Sequence, residues 1–273
     1  MHQSGNPAFR RLPSGVIDGG PYAGFGGTQT GVPHYPGATE AIERPMTVDD
    51  VVTKTAASVG VAILTGIFAA VWAHGQLAAG AQLSVFIVTA LAAVAGFVLA
   101  IAISFTVKAS AGLTLGYSAV EGVFLGAMTG TLEALLPPAA SGVGLQAVMG
   151  TAVVFVVMLF VYRSGAVKVT PRMRKWVTGA LLGAMGLVLV DLLLGLFDAE
   201  LGVRGTGTLG VLVGLAFVAL GAFLLLLDFD MADNMIRAGM PAKYAWYAAF
   251  GLMTALVWLY FEIVRLLAIF NSE

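Results

Sequence analysis

The chain has no cysteine, which removes disulfides, thiolate metal sites and a cysteine nucleophile together. Its three histidines, His2, His34 and His74, are too scattered to form a metal cluster. Charge is scarce too: 11% of the 273 residues are Asp, Glu, Lys or Arg, against about a quarter in a soluble domain. The net charge of -1 leaves no basic excess to hold nucleic acid. No apolar stretch stands near residue 10, so a cleaved signal peptide is not expected. Neither a Ser/His pair nor facing aspartates in a GxGD-type motif is evident, so no catalytic residues, cofactor or bound metal are expected and the chain does not read as an enzyme.

What fills the chain instead is apolar. Hydrophobic residues make up 59% of it, and the mean hydropathy is +0.92. Residues 1–45 stand apart: rich in Gly, Pro, Ser and Thr and without periodicity, they read as a disordered tail that cannot bury a core. At "MTVDDVV" the character changes, with Thr47 and Asp50 spaced as a helix start and acidic groups at the positive end of the helix dipole. Apolar runs then follow at about 53–74, 82–107, 112–136, 144–163, 174–197, 207–228 and 245–270. Each approaches or exceeds the roughly 20 residues that a bilayer core requires, and continuous runs mean helices rather than barrel strands. The expected fold is an all-α integral membrane protein, a seven-helix bundle over residues 46–273.

Lysine and arginine set the expected orientation. Arg10, Arg11, Arg44 and Lys54 precede or open the first span, and Lys108 follows the second. Arg163, Lys168, Arg172, Arg174 and Lys175 follow the fourth, and Arg237 and Lys243 follow the sixth. The opposite side has only Arg204, while Arg265 lies within the seventh span. This bias predicts a multi-pass protein of the cell membrane with a cytoplasmic N-terminus and tail and an external C-terminus. In the third span, Gly112, Gly116, Gly122, Gly126 and Gly130 recur mostly every four residues, which suits close backbone packing in lipid.

A charge in the membrane core costs at least about 2.5–3.5 kcal/mol, so each one needs an account. The third span carries Glu121 near its middle and Glu133 near its outer end; the fifth carries Asp191. The sixth closes on "LLLLDFDMADN", with Asp228, Asp230 and Asp233, the last expected beyond the helix end. Asp228 and Asp230 lie about 200° apart on a helix, so only one of them looks into the bundle. The seventh holds Glu262 and Arg265, three residues apart and able to neutralise each other, although Arg265 could also snorkel outward. Glu262 would lie about 25 Å along its helix, nearer the outer leaflet than the aspartates, unless the helix breaks near Gly251.

"LGYSAVEGVFLGAMTGTLE", "LLLDFDMADNMIRAGMPAKYAWYAAFG" and "LVWLYFEIVRLLA" resemble the Bax inhibitor (TMBIM, YccA-like) family, with the Gly/Pro-rich tail of its actinobacterial branch. The resemblance covers roughly residues 46–270. It implies a seven-helix bundle with a central last helix and a pH-sensitive calcium leak, with two carboxylates sharing a proton to close the pore. By resemblance, "LYFE" gives one role to Glu262. The other falls on Asp228 or Asp230, with Asp230 the first choice, since the family's "DTQ"-like motif has no match here. Glu in place of Asp at 262 and a longer spacing from Asp230 to Glu262 depart from the family pattern. Lys108 and Arg265 are the candidates for its basic latch. The implied partners are the lipid bilayer, protons and a permeant cation, with calcium suited to the oxygen ligands that this chain offers. Two other functions remain open. One is a proton-coupled secondary transporter relaying through Asp191, Glu121 and Glu262; the other is a membrane stress modulator acting through protein partners.

Overall fold

The structure, a computed structural model, describes residues 44–137, 142–195, 197 and 201–271. The tail expected to be disordered over residues 1–45 therefore lies outside the described residues, except for Arg44 and Pro45.

Seven long helices follow one another: α1 Val48–Ala78, α2 Gln82–Thr106, α3 Ala111–Leu135, α4 Val143–Ser164, α5 Pro171–Gly195, α6 Thr208–Arg237 and α7 Ala245–Asn271. All seven are long and apolar enough to cross a membrane, so the expected all-α membrane bundle is the observed one. Several helix ends run a few residues past the expected spans, α6 furthest, and one expected break is absent. Helix α6 runs nine residues beyond Asp228 to Arg237, so Asp233 is helical; the Asp233–Arg237 ion pair at 2.8 Å, one turn apart, supports the added turns. Helix α7 is unbroken through Gly251.

Helix α1 begins where Thr47 and Asp50 predict. The Thr47 hydroxyl accepts from the Asp50 N–H at 3.3 Å, and an Asp50 carboxylate oxygen accepts from the Thr47 N–H at 3.0 Å. Arg44 grips the same carboxylate with two donors, at 2.6 and 2.8 Å. The chain ahead of α1 is tied to the α6–α7 turn. The Met46 N–H donates to the Met240 carbonyl at 2.7 Å, the Ala242 N–H to the Arg44 carbonyl at 2.9 Å, and Lys54 Nζ to the Ala242 carbonyl.

Without a hydrophobic force between helices in lipid, close contact needs small residues. Helices α1 and α3 meet along such a seam: a Cβ on Gly122 would collide with Thr65 and the Ala62 backbone, one on Gly126 with Gly66, and one on Gly130 with Ala70. Helix α7 packs against α1, α3, α4 and α6, the central place that the resemblance implied. Its Ala245, Ala248, Ala249, Leu259 and Val264 are fully buried. Helix α5 packs mainly on α6. Alternation puts the start of α1, the α2–α3, α4–α5 and α6–α7 connections and every described Lys and Arg except Arg204 and Arg265 at one face, called the basic face below.

Candidate functional site

Three contacts give the register of α6 against α7. Gly214 lies against Arg265 and Leu266, Gly221 against Trp258 and Leu259, and Asp228 against Gly251. Each step of seven residues toward the basic face on α6 is a step of about seven away from Asn271 on α7. Asp228 therefore belongs to the level of Gly251, while Glu262 lies eleven residues further along α7, about 16 Å away at the helical rise.

The proton-sharing pair expected of Glu262 with Asp228 or Asp230 is not formed. Axial distance separates Glu262 from both, and each of the three carboxylates has a different neighbourhood. Glu262 is 2% exposed and receives Arg265 Nε on one oxygen at 2.9 Å. Arg265 also reaches toward the Gly210 carbonyl at 3.5 Å, which fastens this pair between α6 and α7. The sequence reading of a local pair is the one realised; Arg265 does not snorkel, being itself only 13% exposed.

Asp230 faces away from α7. Arg174 of α5 donates to one of its oxygens at 2.8 Å and Asn234 to the same oxygen at 3.0 Å. The first choice for the inward carboxylate is thus corrected to Asp228, and the roughly 200° between the two residues is the reason. Asp228 is partly buried and has no hydrogen bond or ion pair among the described residues. Its seat is made by glycine: a Cβ on Gly251 would stand 3.0 Å from Asp228 Oδ1, with the Met231 methyl 3.2 Å away. The glycine that looked like a helix break makes room for a carboxylate.

Glu121 has the same arrangement on another helix. It is 8% exposed, and a Cβ on Gly96 of α2 would be 2.5 Å from its Oε1. Tyr117, one turn earlier, turns its hydroxyl toward Glu121 and toward Thr254 of α7, and its ring meets Phe250 edge-on at 5.1 Å. Asp228 thus lies against the α7 turn of residues 250–254 from the α6 side, and Glu121 is linked to that turn through Tyr117. Sequence reading missed two buried polar groups of α1. Thr55 shares a stripe of α1 with Val51 and Val59, whose packing clusters include Leu252 and Phe250 of α7. Thr55 and Ser58 are buried, and their hydroxyls have no partner among the described residues. Hydroxyls in an apolar span give only a weak signal, because a helix usually absorbs them by back-bonding to its own carbonyls.

The remaining candidates lie apart. Lys108 is exposed in the α2–α3 connection. Asp191 of α5 acts electrostatically on Arg204, together with Glu262 and Arg265. Burial pushes the Arg204 guanidinium below its ordinary pKa, and the Glu262 and Asp191 charges oppose that shift. Arg204 also sits 5.1 Å from the Phe261 ring centroid. Glu133 accepts from the Gly144 N–H at 3.0 Å, in the first turn of α4, a capping role.

Fold and site together define a multi-pass membrane bundle whose core, among the described residues, holds the Glu262–Arg265 ion pair and two carboxylates, Glu121 and Asp228, without a cation. The family model described as Bax inhibitor 1 like matches residues 6–272, and the chain belongs to that family. No curated protein and no solved structure matches it.

Proposed function

We propose that the protein is a proton-gated cation leak pathway with calcium as a permeant ion, and that Asp228 is its gating carboxylate. The observation that supports this is the seat of Asp228 against Gly251, without a counter-charge among the described residues, at the contact between α6 and α7. A protonated carboxyl suits this apolar seat, and the two helices then stay packed. An ionised one is an unpaired charge in low dielectric, relieved by water or a cation entering between the helices. Flux should therefore rise with pH. Glu121, linked to the same α7 turn through Tyr117, is the second carboxylate on the path, and Thr55 and Ser58 offer neutral oxygens to a hard cation. Glu262 has a structural role in this reading, because Arg265 already satisfies it. The activity is transport rather than catalysis, in the cell membrane with the basic face in the cytoplasm.

The test is purified protein in liposomes loaded with a calcium dye, across roughly pH 5 to 8. Wild type should leak faster as pH rises, and Asp228→Asn should leak slowly with little pH dependence. Absence of flux at every pH would overturn the proposal in favour of a protein acting through partners. Saturable solute uptake driven by a proton gradient would favour the coupled transporter, whose relay would use carboxylates spread over different depths.

A further inference from the structure

We propose that the groove between α5 and α6 at the basic face holds one anionic phospholipid. The groove has a volume of about 790 Å³, and along α5 its lining runs from Arg174 and Lys175 to Leu182 two turns further on. At its mouth stand Arg174 and Lys175, with Asp230 and Asn234 across from them; Thr178, Gly179 and Leu182 continue it one to two turns deeper.

Four features fit this occupant. Helix α5 has little protein contact beyond α6, so the groove opens to lipid. Gly179 has no atom within 4 Å of where a Cβ would stand, leaving space for an acyl chain. The mouth lies at the first turn of α5, where Arg174 and Lys175 bring two positive charges to the level of a phosphate headgroup. Finally, Asp230 and Asn234 fix the orientation of Arg174: Nη2 is bound to Asp230, which leaves the rest of the fork for a second acceptor. This gives Asp230 a role as the positioning residue of a lipid site rather than a gate. The proposal does not depend on ion flux.

The experiment is native mass spectrometry of the full chain released from mixed micelles of phosphatidylglycerol and phosphatidylcholine. Wild type should retain one phosphatidylglycerol in preference to phosphatidylcholine. Arg174→Gln with Lys175→Gln should lower that retention about tenfold or more, since each cation near the headgroups contributes about 1 kcal/mol. Gly179→Leu keeps both charges but fills the groove, and it should lower retention of either lipid at this site. Lys108→Gln, a cation elsewhere on the same face, should change nothing. Equal retention of both lipids by wild type would overturn the proposal, as would full retention in the double variant. Displacement of the lipid by glycerol phosphate or inorganic phosphate alone would also overturn it, since that would mark a free-anion site.

Discussion

At the scale of single residues, the core carboxylates divide by whether a cation already answers them. Glu262 and Arg265 form a buried pair, and removing one partner from such a pair strands the other charge. Glu262→Gln should therefore destabilise the protein by about 3 kcal/mol or more. Asp228→Asn should leave stability near wild type or raise it, because a neutral amide of the same size removes a group whose ionised form has no partner among the described residues. Thermal denaturation in detergent, followed by helical circular dichroism, separates the two; an unstable Asp228→Asn with a stable Glu262→Gln would reverse the roles assigned here. Which residue types the core would contain was legible in the sequence, since any ionisable group in an apolar run stands out. Which of them would be paired was legible only for Glu262 and Arg265, where the partner is one helical turn away. The pairing of Asp230 with Arg174 spans 56 positions and depends on how α5 leans on α6, which no local pattern encodes.

At the scale of elements, the glycines of α3 show how far a stripe of small residues can be read. All five looked alike in sequence, yet only Gly122, Gly126 and Gly130 meet α1, while Gly116 has open space and Gly112 only the Ser110 hydroxyl at 3.9 Å. Spacing gave the face; the crossing of α1 over α3 decided how much of that face was used. Gly126→Ala should cost about 1–3 kcal/mol, because the new methyl overlaps the Gly66 backbone, which cannot move aside alone. Gly116→Ala should be neutral or stabilising by up to about 1 kcal/mol, since an open helical site gains from the better helix former. Melting temperatures of the two variants in one detergent decide this, and equal losses would mean that the α1–α3 contact is looser than described. Helix ends were read least well where side chains rather than hydropathy extend the helix. The last turns of α6 carry Asp230, Asp233, Asn234 and Arg237, paired at one-turn spacing, and polar turns of that kind do not register as a span.

At the scale of the whole molecule, seven spans and a one-sided charge distribution combine into a statement about topology. An odd number of crossings puts the start of α1 and the end of α7 on opposite sides of the membrane. The basic face gathers Lys54, Lys108, Arg163, Lys168, Arg174 and their neighbours, whereas the other face has Arg204, half-covered and held over Phe261. Translocating the basic face would carry many cations across the bilayer, against the bias that orients such chains. The absence of cysteine makes this testable without background, because any introduced thiol is the only one in the chain. Lys108→Cys and Lys168→Cys place an exposed thiol at the basic face; Ala79→Cys and Thr206→Cys place one at the other. A membrane-impermeant maleimide added to intact cells should label Ala79→Cys and Thr206→Cys. Lys108→Cys and Lys168→Cys should be labelled only after permeabilisation. The reverse pattern would keep the seven spans but turn the bundle over. It would also put the α5–α6 groove on the external side, where its lipid would have to come from the other leaflet. Labelling that fails to divide the four positions two and two would instead break the count of crossings, and with it the separation of Asp228 and Glu262 into opposite halves of the membrane.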